Sequence, residues 1–262
     1  MLRPPPALVR SASLLATLLL MTAAPLQAQP QYPGDPFRFV YWTVDDARTL
    51  TTRTIPRHAL YIAGAGGALL LLSPADRSVT EQVSEIEAGF GWRFVEEFGN
   101  VRAVRPAALA LFAGSLMTDN VRFQDAAFTS LQAVIYANLI TNGLKLVFGR
   151  ARPFQEQGPA DFRPFSGNSS FPSGHSTTAF AVLTPWMLYY PNLRTAGLVV
   201  LAGHTAFSRM VTNFHWLTDI VAGSGIGFAT AYFLTRQHQR AQAGLQIQPT
   251  LGFNHLGVQV RF

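Results

Sequence analysis

The sequence predicts an all-α fold, a helical bundle of about six helices followed by a short C-terminal β-hairpin. Three observations support this prediction. Apolar runs of helical length recur along the chain, separated by polar or turn-forming residues. Apolar residues make up 48% of the chain and charged residues only 13%, about half the charged share of a typical soluble domain. The alternation of apolar and polar residues that is typical of strands is confined to the C-terminal tail.

The first 28 residues are typical of an export signal. Arg3 and Arg10 give a positively charged start, an apolar run of secretory length covers 14–24, and Ala28 is a small residue suited to a cleavage site. We therefore expect a signal peptide over 1–28 and a mature chain that lies in the periplasm or faces it. A retained anchor helix over the same apolar run is the alternative.

Three further regions follow the signal. Residues 29–58 form a lead-in segment rich in proline and aromatic side chains, 59–236 form the helical domain, and 237–262 form a tail. Alternating residues in this tail predict a hairpin that turns near Asn254. The apolar runs of the helical domain are 59–72, 106–117, 128–148, 176–190, 193–207 and 217–234.

Two features interrupt these runs. Ser78 and Glu81 match a capping box, which predicts an amphipathic helix that reaches about residue 98. A loop of about twenty residues over 153–172 is rich in proline, glycine and serine.

The lengths of the apolar runs bear on whether they cross a membrane. Most are shorter than the roughly 20 residues that span a bilayer. With an exported N-terminus, crossings by each of the first three runs would also place Lys145 on the cytoplasmic side. We therefore expect at least one of these runs not to cross.

Charge and cysteine content exclude several classes of function. The formal charge is +6, carried by nineteen arginines and the single lysine Lys145, and these residues are scattered rather than clustered. The pattern does not predict a nucleic-acid partner and favours anionic substrates or lipid headgroups. The chain contains no cysteine, which excludes disulfides, thiolate metal sites and a cysteine nucleophile.

An unusually polar stretch, 208–219, lies between two apolar runs. If Asn213 caps a helix here, His215 lies in its first turn, and Asp219 follows one turn later on the same face. A carboxylate beside an imidazole fixes its orientation and raises its basicity, as a catalytic base or nucleophile requires. A purely structural hydrogen bond within the helix explains this pair equally well at this point.

Two other segments supply groups that bind anions. Lys145 and Arg152 are seven residues apart, which would place them on one face of a helix. Ser173, Gly174 and His175 open a predicted helix, where free backbone N–H groups attract anions. With Arg209, His215 and Asp219, these residues provide fixed positive charge, a nucleophile and an acid. That combination suits phosphoryl transfer.

These residues form three motifs in a fixed order: Lys-x6-Arg-Pro at 145–153, Pro-Ser-Gly-His at 172–175 and Ser-Arg-x5-His-x3-Asp at 208–219. They resemble the three-part signature of the type 2 phosphatidic acid phosphatase superfamily, which also contains bacterial class A acid phosphatases, glucose-6-phosphatases and vanadium haloperoxidases. Every position of the signature is matched. The resemblance covers about 75 residues directly, and it implies that the helical domain over 59–234 shares the fold of the superfamily.

The resemblance implies the phosphatidic acid phosphatase type 2 fold and a metal-free phosphohydrolase with a phosphohistidine intermediate. By position, His215 would attack phosphorus, Asp219 would orient it, and His175 would protonate the leaving oxygen and later activate water. The phosphate oxygens would be held by Lys145, Arg152, Arg209, Ser173 and the amide of Gly174. The resemblance implies no metal and no cofactor, although phosphate or vanadate would fit the same site.

The apolar helices and the export signal favour a phosphorylated lipid as the substrate. We therefore expect a lipid phosphate or lipid pyrophosphate phosphatase in the bacterial cell envelope, associated with the inner membrane and with its active site facing the periplasm. A soluble periplasmic acid phosphatase of broad specificity is the main alternative. A vanadium haloperoxidase and a non-catalytic phosphate-binding envelope protein are the remaining alternatives.

Overall fold

A computed structural model of the chain describes residues 37–87, 89–242, 246–252 and 255–261. The predicted signal peptide, 1–28, lies outside the described residues. The chain divides into two compact units, of which the larger is Thr52–Thr235. The smaller unit combines the segments Met1–Thr51 and Arg236–Phe262.

The described residues are mainly helical, as the sequence predicts. The helices, in chain order, are α1 Arg38–Thr49, α2 Ala59–Leu72, α3 Asp76–Ser84, α4 Phe90–Glu96, α5 Val101–Ser115, α6 Val121–Phe148, α7 Gly174–Tyr189, α8 Leu193–Val211 and α9 Leu217–Gln242. Short helical turns lie between some of them, at Leu50–Thr54, Ile55–Arg57, Ser73–Ala75, Glu97–Gly99 and Pro153–Gln155. The six predicted apolar runs correspond to α2 and to α5 through α9.

Three helices were not predicted with these bounds. Helix α1 lies in the segment expected to be a lead-in. The predicted capping box is wrong, because α3 begins at Asp76 and Ser78 lies inside it, where its Oγ donates to Ala75 O. The amphipathic segment is also broken after Ser84, and α4 forms separately.

Local side chains explain where the longer helices start and end. The side chains of Asn100, Asn120 and Asn192 accept hydrogen bonds from the first backbone N–H groups of α5, α6 and α8. Gly149 ends α6 in the left-handed region, with φ of 53°, a conformation that glycine adopts at little cost. This ending decides where Arg152 lies, because the chain leaves the helix before reaching it.

The helices of the larger unit bring the three motifs to one end. Helix α6 ends near the start of α7, where Lys145 Nζ donates to Ser169 O. The start of α9 lies against the start of α7, since Ser173 N donates to Asp219 O at 2.9 Å. The Cα of Gly99, just before α5, lies so close to His175 that a Cβ there would be 2.7 Å from its carbonyl oxygen.

Helix α2 runs toward this same end, because Asp76, just beyond it, accepts a hydrogen bond from Thr218 N at 2.8 Å. Three helical segments of the described chain are long and apolar enough to cross a membrane, namely Ala59–Ser84, Val121–Phe148 and Leu217–Gln242. The first of these joins α2 to α3, so the run expected to be too short is extended to 26 residues. Its apolar side chains are largely exposed, with Leu71 at 84%.

Close packing of α9 on α7 depends on Gly223. A Cβ at this position would lie 2.3 Å from Ser173 O, so Gly223→Ala must push the two helices apart at the start of α7. We expect it to lower the free energy of unfolding by roughly 1–3 kcal/mol and to reduce activity. In Gly225→Ala, two residues on, the added Cβ meets nothing within 4 Å. This substitution should raise the free energy of unfolding by about 0.5–1 kcal/mol. Thermal unfolding of both variants in detergent checks this, and equal shifts would contradict it.

The smaller unit contains a buried polar pair and the predicted hairpin. His238 Nε2 lies 2.8 Å from Asp46 Oδ2, and the His238 ring stacks on Trp42 with 3.9 Å between centroids. In the tail, β1 (Gln246–Gly252) pairs antiparallel with β2 (His255–Arg261), and Ile247 lies opposite Val260. This pairing agrees with the alternating pattern.

Candidate active site

The Pro-Ser-Gly-His motif forms the start of α7. Ser173 is its N-cap, and the Ser173 Oγ accepts hydrogen bonds from the N–H and the Oγ of Ser176, at 3.5 Å and 3.0 Å. Gly174 and His175 occupy the first turn, as predicted. The first backbone N–H groups of the helix therefore lie beside an imidazole. The N–H groups can bind an anion, and the imidazole can give a proton to a group that leaves it.

His215 and Asp219 are brought together, but not in the predicted way. Helix α9 begins at Leu217, so His215 precedes it, and Asn213 does not cap a helix but sits in a left-handed turn with φ of 57°. His215 Nδ1 lies 3.5 Å from Asp219 Oδ2, longer than a formed hydrogen bond. Catalytic hydrogen bonds often tighten only when the substrate binds. Because Nδ1 faces the carboxylate, Nε2 is the ring nitrogen available for attack.

The Asp219 carboxylate is held from several sides. Its Oδ2 accepts hydrogen bonds from the Ser170 hydroxyl and from Trp216 N, the latter at 2.9 Å. Its Oδ1 accepts from Arg150 Nη1 at 2.6 Å. Asp219 is completely buried, and these donors compensate the loss of hydration of its charge. The carboxylate beside His215 is therefore held in one orientation by the surrounding donors.

Two of the three predicted phosphate-binding cations converge on the loop before α7. Lys145 Nζ donates to Ser169 O, and Arg152 Nη2 donates to Ser169 Oγ at 3.2 Å. The prediction that Lys145 and Arg152 share a helix face is wrong, because α6 ends at Phe148 and Arg152 has an extended backbone. The loop geometry, rather than helical periodicity, places them on the same side of the site.

The third cation, Arg209, lies near the end of α8 and is 5% exposed. Its Nη1 donates to Glu96 Oε1 at 2.7 Å, and its guanidinium lies 4.6 Å from the centre of the Phe214 ring. No acceptor in the described part of the chain pairs with Arg209 Nε, although this atom is buried. A buried N–H without a partner is costly, and a bound anion would satisfy it.

The two histidines have strongly lowered pKa values, and both lie outside the three helices long enough to cross a membrane. Burial lowers the pKa of His215 to about 4, although the Asp219 carboxylate acts in the opposite direction. His215 is therefore neutral at physiological pH, as a nucleophile must be. Burial also lowers the pKa of His175 to about 3, and the positive charges of Arg209, Arg152 and Lys145 act in the same direction, as does His215 when it is protonated.

Several residues of the site were not found from the sequence. Arg150 binds both Asp76 and Asp219, and Ser170 donates to Asp219. Glu96 holds Arg209. Arg150 lies two positions before Arg152 in a glycine-arginine-alanine-arginine run, and this adjacency was the one available signal. Asp76 and Glu96 lie far upstream of the motifs, where no local pattern marks them.

The donor set of this site suits an anion. Three cations and the start of a helix lie near the two histidines, while the Asp219 carboxylate is already bound by Arg150 and that of Glu96 by Arg209. Within 37–87, 89–242 and the two described strands, no group of three or more His, Cys, Asp or Glu residues is arranged to hold a metal ion.

Comparison with known proteins agrees with these motifs. A sequence model of the PAP2 superfamily matches residues 126–243, which contain all three motifs. A lipid A 1-phosphatase of Rhizobium johnstonii is 39% identical over 99 residues, 36% of this chain and 40% of that protein. A putative undecaprenyl-diphosphatase, YbjG of Escherichia coli, is 31% identical over 77 residues, 29% of this chain and 39% of that protein. This chain thus matches about two fifths of the length of these curated relatives.

A solved structure has a similar fold. The transmembrane PAP2-type phosphatidylglycerolphosphate phosphatase of Bacillus subtilis superimposes with a TM-score of 0.51 at 18% identity, over 88% of this chain and 96% of that one. The likeness extends the shared fold beyond the matched motifs to most of the helical chain.

Proposed function

We propose that the chain is a member of the PAP2 superfamily, whose sequence model matches residues 126–243, and that it hydrolyses a lipid phosphate or lipid pyrophosphate, without a metal and through a phosphohistidine intermediate. The observation that carries this proposal is the environment of His175. Lys145 and Arg152 both donate to Ser169 in the loop before it, and Ser173 N, at the start of its helix, donates to Asp219 O at 2.9 Å. Burial and the charges of Arg209, Arg152 and Lys145 lower its pKa, which agrees with this convergence. A phosphoryl group needs this combination of nucleophile, acid and fixed positive charge.

In the first step, His215 Nε2 attacks phosphorus and the bond from phosphorus to the leaving oxygen breaks. His175 gives its proton to that oxygen, so the lipid leaves as an alcohol or as a lipid monophosphate. Asp219 accepts a hydrogen bond from His215 Nδ1 and stabilises the positive charge that develops on the ring. The charge on the equatorial oxygens is balanced by Lys145, Arg152 and Arg209.

In the second step, water replaces the histidine on phosphorus. His175 is now neutral and takes a proton from the attacking water, and the bond from phosphorus to His215 Nε2 breaks. Inorganic phosphate leaves and His215 returns to its neutral form. Ser173 Oγ and the Gly174 N–H hold the phosphoryl oxygens in both steps.

The proposed substrate class rests on the relatives and on the exposed apolar helices. The relatives at 31–39% identity are named as a lipid A 1-phosphatase and a putative undecaprenyl-diphosphatase. Helix α2 exposes apolar side chains along its length, which suits contact with lipid acyl chains. A lipid A 1-phosphate is therefore the first substrate to test.

The test is phosphate release by the purified full chain in detergent with EDTA present. The panel contains lipid A, undecaprenyl pyrophosphate, phosphatidate and the soluble ester p-nitrophenyl phosphate. We expect release from at least one lipid and a much lower kcat/KM for the soluble ester. Equal rates on all four would favour a broad-specificity acid phosphatase. Activity that is lost with EDTA, or absent throughout, would refute the proposal.

Anion binding should protonate His175. A bound dianion raises the pKa of His175 from about 3, so the bound site holds more protons than the free site at about pH 5. Sulfate affinity is therefore expected to rise as pH falls toward about 5, and each sulfate that binds should be accompanied by uptake of close to one proton by the protein. Calorimetry in two buffers with different ionisation enthalpies measures the uptake, and sulfate itself does not titrate in this range. His175→Gln should lower the uptake by the share that His175 contributes, with His215, whose pKa is about 4, accounting for the rest. A pH-independent affinity would contradict the assignment.

We further propose that the site faces the periplasm. Arginines lie near the helix ends remote from the site, such as Arg57 before α2 and Arg194 in the first turn of α8, and this pattern favours the cytoplasm for those ends. The chain contains no cysteine, so single cysteines can report the orientation. The exposed residues Gln157, near the site, and His58 and Pro191, at the far end, are suitable positions.

In spheroplasts, a membrane-impermeant maleimide is expected to label Gln157→Cys but not His58→Cys or Pro191→Cys, which should react only after permeabilisation. The reverse pattern would place the site in the cytoplasm. Labelling of all three positions would show that the helices between them do not cross the membrane.

A further inference from the structure

A buried chain of charges leads from α3 to the proposed nucleophile. We propose that Asp76, acting through Arg150, is a positioning residue that fixes the direction in which the Asp219 carboxylate faces His215. This role rests on the proposed function. Asp76 lies outside residues 126–243, the segment matched by the superfamily. The inference therefore extends the catalytic machinery to a helix that the shared motifs do not include.

Every N–H group of the Arg150 guanidinium has a partner. Its Nε and Nη2 donate to Pro159 O, at 2.9 Å and 2.6 Å. Nη2 also donates to Asp76 Oδ2, and Nη1 donates to Asp219 Oδ1, each at 2.6 Å. Nη1 makes a further bond with Thr218 Oγ1 at 2.8 Å. These are the five donors that an arginine has, so none remains for a phosphate.

This saturation separates Arg150 from the arginine that we assign to phosphate binding. Arg209 is also buried, but its Nε has no partner in the described chain. Arg150 is 1% exposed, and all of its guanidinium N–H groups donate to acceptors within the protein. Its planar fork fixes the relative positions of its two carboxylate partners in a way that a flexible lysine would not.

Asp76 anchors the other end of this chain. Its Oδ1 accepts from Thr218 N at 2.8 Å, and its Oδ2 accepts from Thr218 Oγ1 at 2.7 Å as well as from Arg150. Thr218 is the residue just before Asp219. Asp76 therefore holds the backbone at the start of α9 directly and the Asp219 carboxylate through Arg150. Both Asp76 and Asp219 are completely buried.

The position of the carboxylate matters because its Oδ2 lies 3.5 Å from His215 Nδ1. Rotation of Asp219 would lengthen this contact further and weaken the hydrogen bond that stabilises the charged ring during attack. Arg150 holds Oδ1, so Oδ2 remains turned toward the imidazole. A positioning defect should slow formation of the phosphohistidine, which uses this hydrogen bond. It should not slow breakdown of the intermediate, because a weaker pull on Nδ1 makes imidazole a better leaving group.

The test separates these two steps by rapid quench with a phosphorylated lipid that the wild-type chain hydrolyses. In Asp76→Asn we expect formation of the phosphohistidine to fall about tenfold or more, with breakdown unchanged or faster and KM within about twofold. Asp76→Glu keeps the charge but shifts the carboxylate, and with it the Arg150 guanidinium, by one methylene. It should show the same pattern with a smaller loss in the rate of phosphohistidine formation. It also keeps the test valid if the neutral variant does not fold.

The matched control is Arg163→Gln. Arg163 pairs with Asp161 at 3.0 Å in the same loop region, but its side chain is 59% exposed, whereas Asp76 and Arg150 are buried. Both of its rates should equal those of the wild type. Equal slowing of formation and breakdown in the Asp76 variants, or no slowing, would overturn the positioning role alone. A wild-type chain that releases no phosphate from any substrate would instead refute the proposed function, and this role with it.

Discussion

Replacing His215 by asparagine is expected to reduce turnover by at least about 10⁴-fold, because asparagine cannot replace the imidazole that we propose as the nucleophile. The variant should remain folded. The contact of His215 with Asp219 is 3.5 Å long, whereas the hydrogen bonds that hold the start of α9 come from Arg150, Ser170 and Trp216. Phosphate release and thermal unfolding, measured on the same preparation, test both expectations.

Anion binding provides a second readout for this variant. The three cations do not depend on His215, so the dissociation constant of sulfate should change by only a few fold. His58→Asn is the matched control, because His58 is exposed and lies before α2. Its activity should equal that of the wild type. Retention of more than about one hundredth of the activity by His215→Asn would exclude a phosphohistidine at this position.

Arg150→Leu is expected to have the largest effect on stability, a loss of about 3–5 kcal/mol in the free energy of unfolding. The substitution leaves the carboxylates of Asp76 and Asp219 buried without their shared cation. Arg163→Leu removes an exposed ion pair and should cost less than about 1 kcal/mol. Unfolding of both variants in the same detergent provides the comparison.

A loss below about 1 kcal/mol in Arg150→Leu would mean that the two carboxylates find other compensation, such as protonation of one of them. Stability that depends strongly on pH in this variant and not in the wild type would identify that route. The prediction concerns stability and is independent of whether the chain is a phosphatase.

The sequence was sufficient to predict the helical architecture because the signal is local. Apolar runs mark α2 and α5 through α9, and asparagine residues before three of these helices act as caps. The motifs also identified the groups that converge at the site, since each motif keeps its residues within a short segment. The predictions from sequence that are wrong concern local geometry. His215 was placed inside a helix that begins at Leu217, and Arg152 was placed on a helix that ends at Phe148.

The network beneath the site could not be predicted for a different reason. Asp76 lies 74 residues from Arg150 and 142 from Thr218, so no pattern of spacing connects them. Nothing in a single sequence distinguishes an aspartate at a helix start that is exposed from one that is completely buried. The same holds for Glu96, which pairs with Arg209 across a long stretch of chain.

The hydrogen bond from Ser173 N to Asp219 O links the helix that carries the proposed acid to the residue that we propose orients the nucleophile. This amide is completely buried within the packed starts of α7 and α9. It can exchange its hydrogen with solvent only when these helix starts separate, and then the acid and the nucleophile separate too. Deuterium uptake at Ser173 therefore measures how often the active site comes apart, without any substrate.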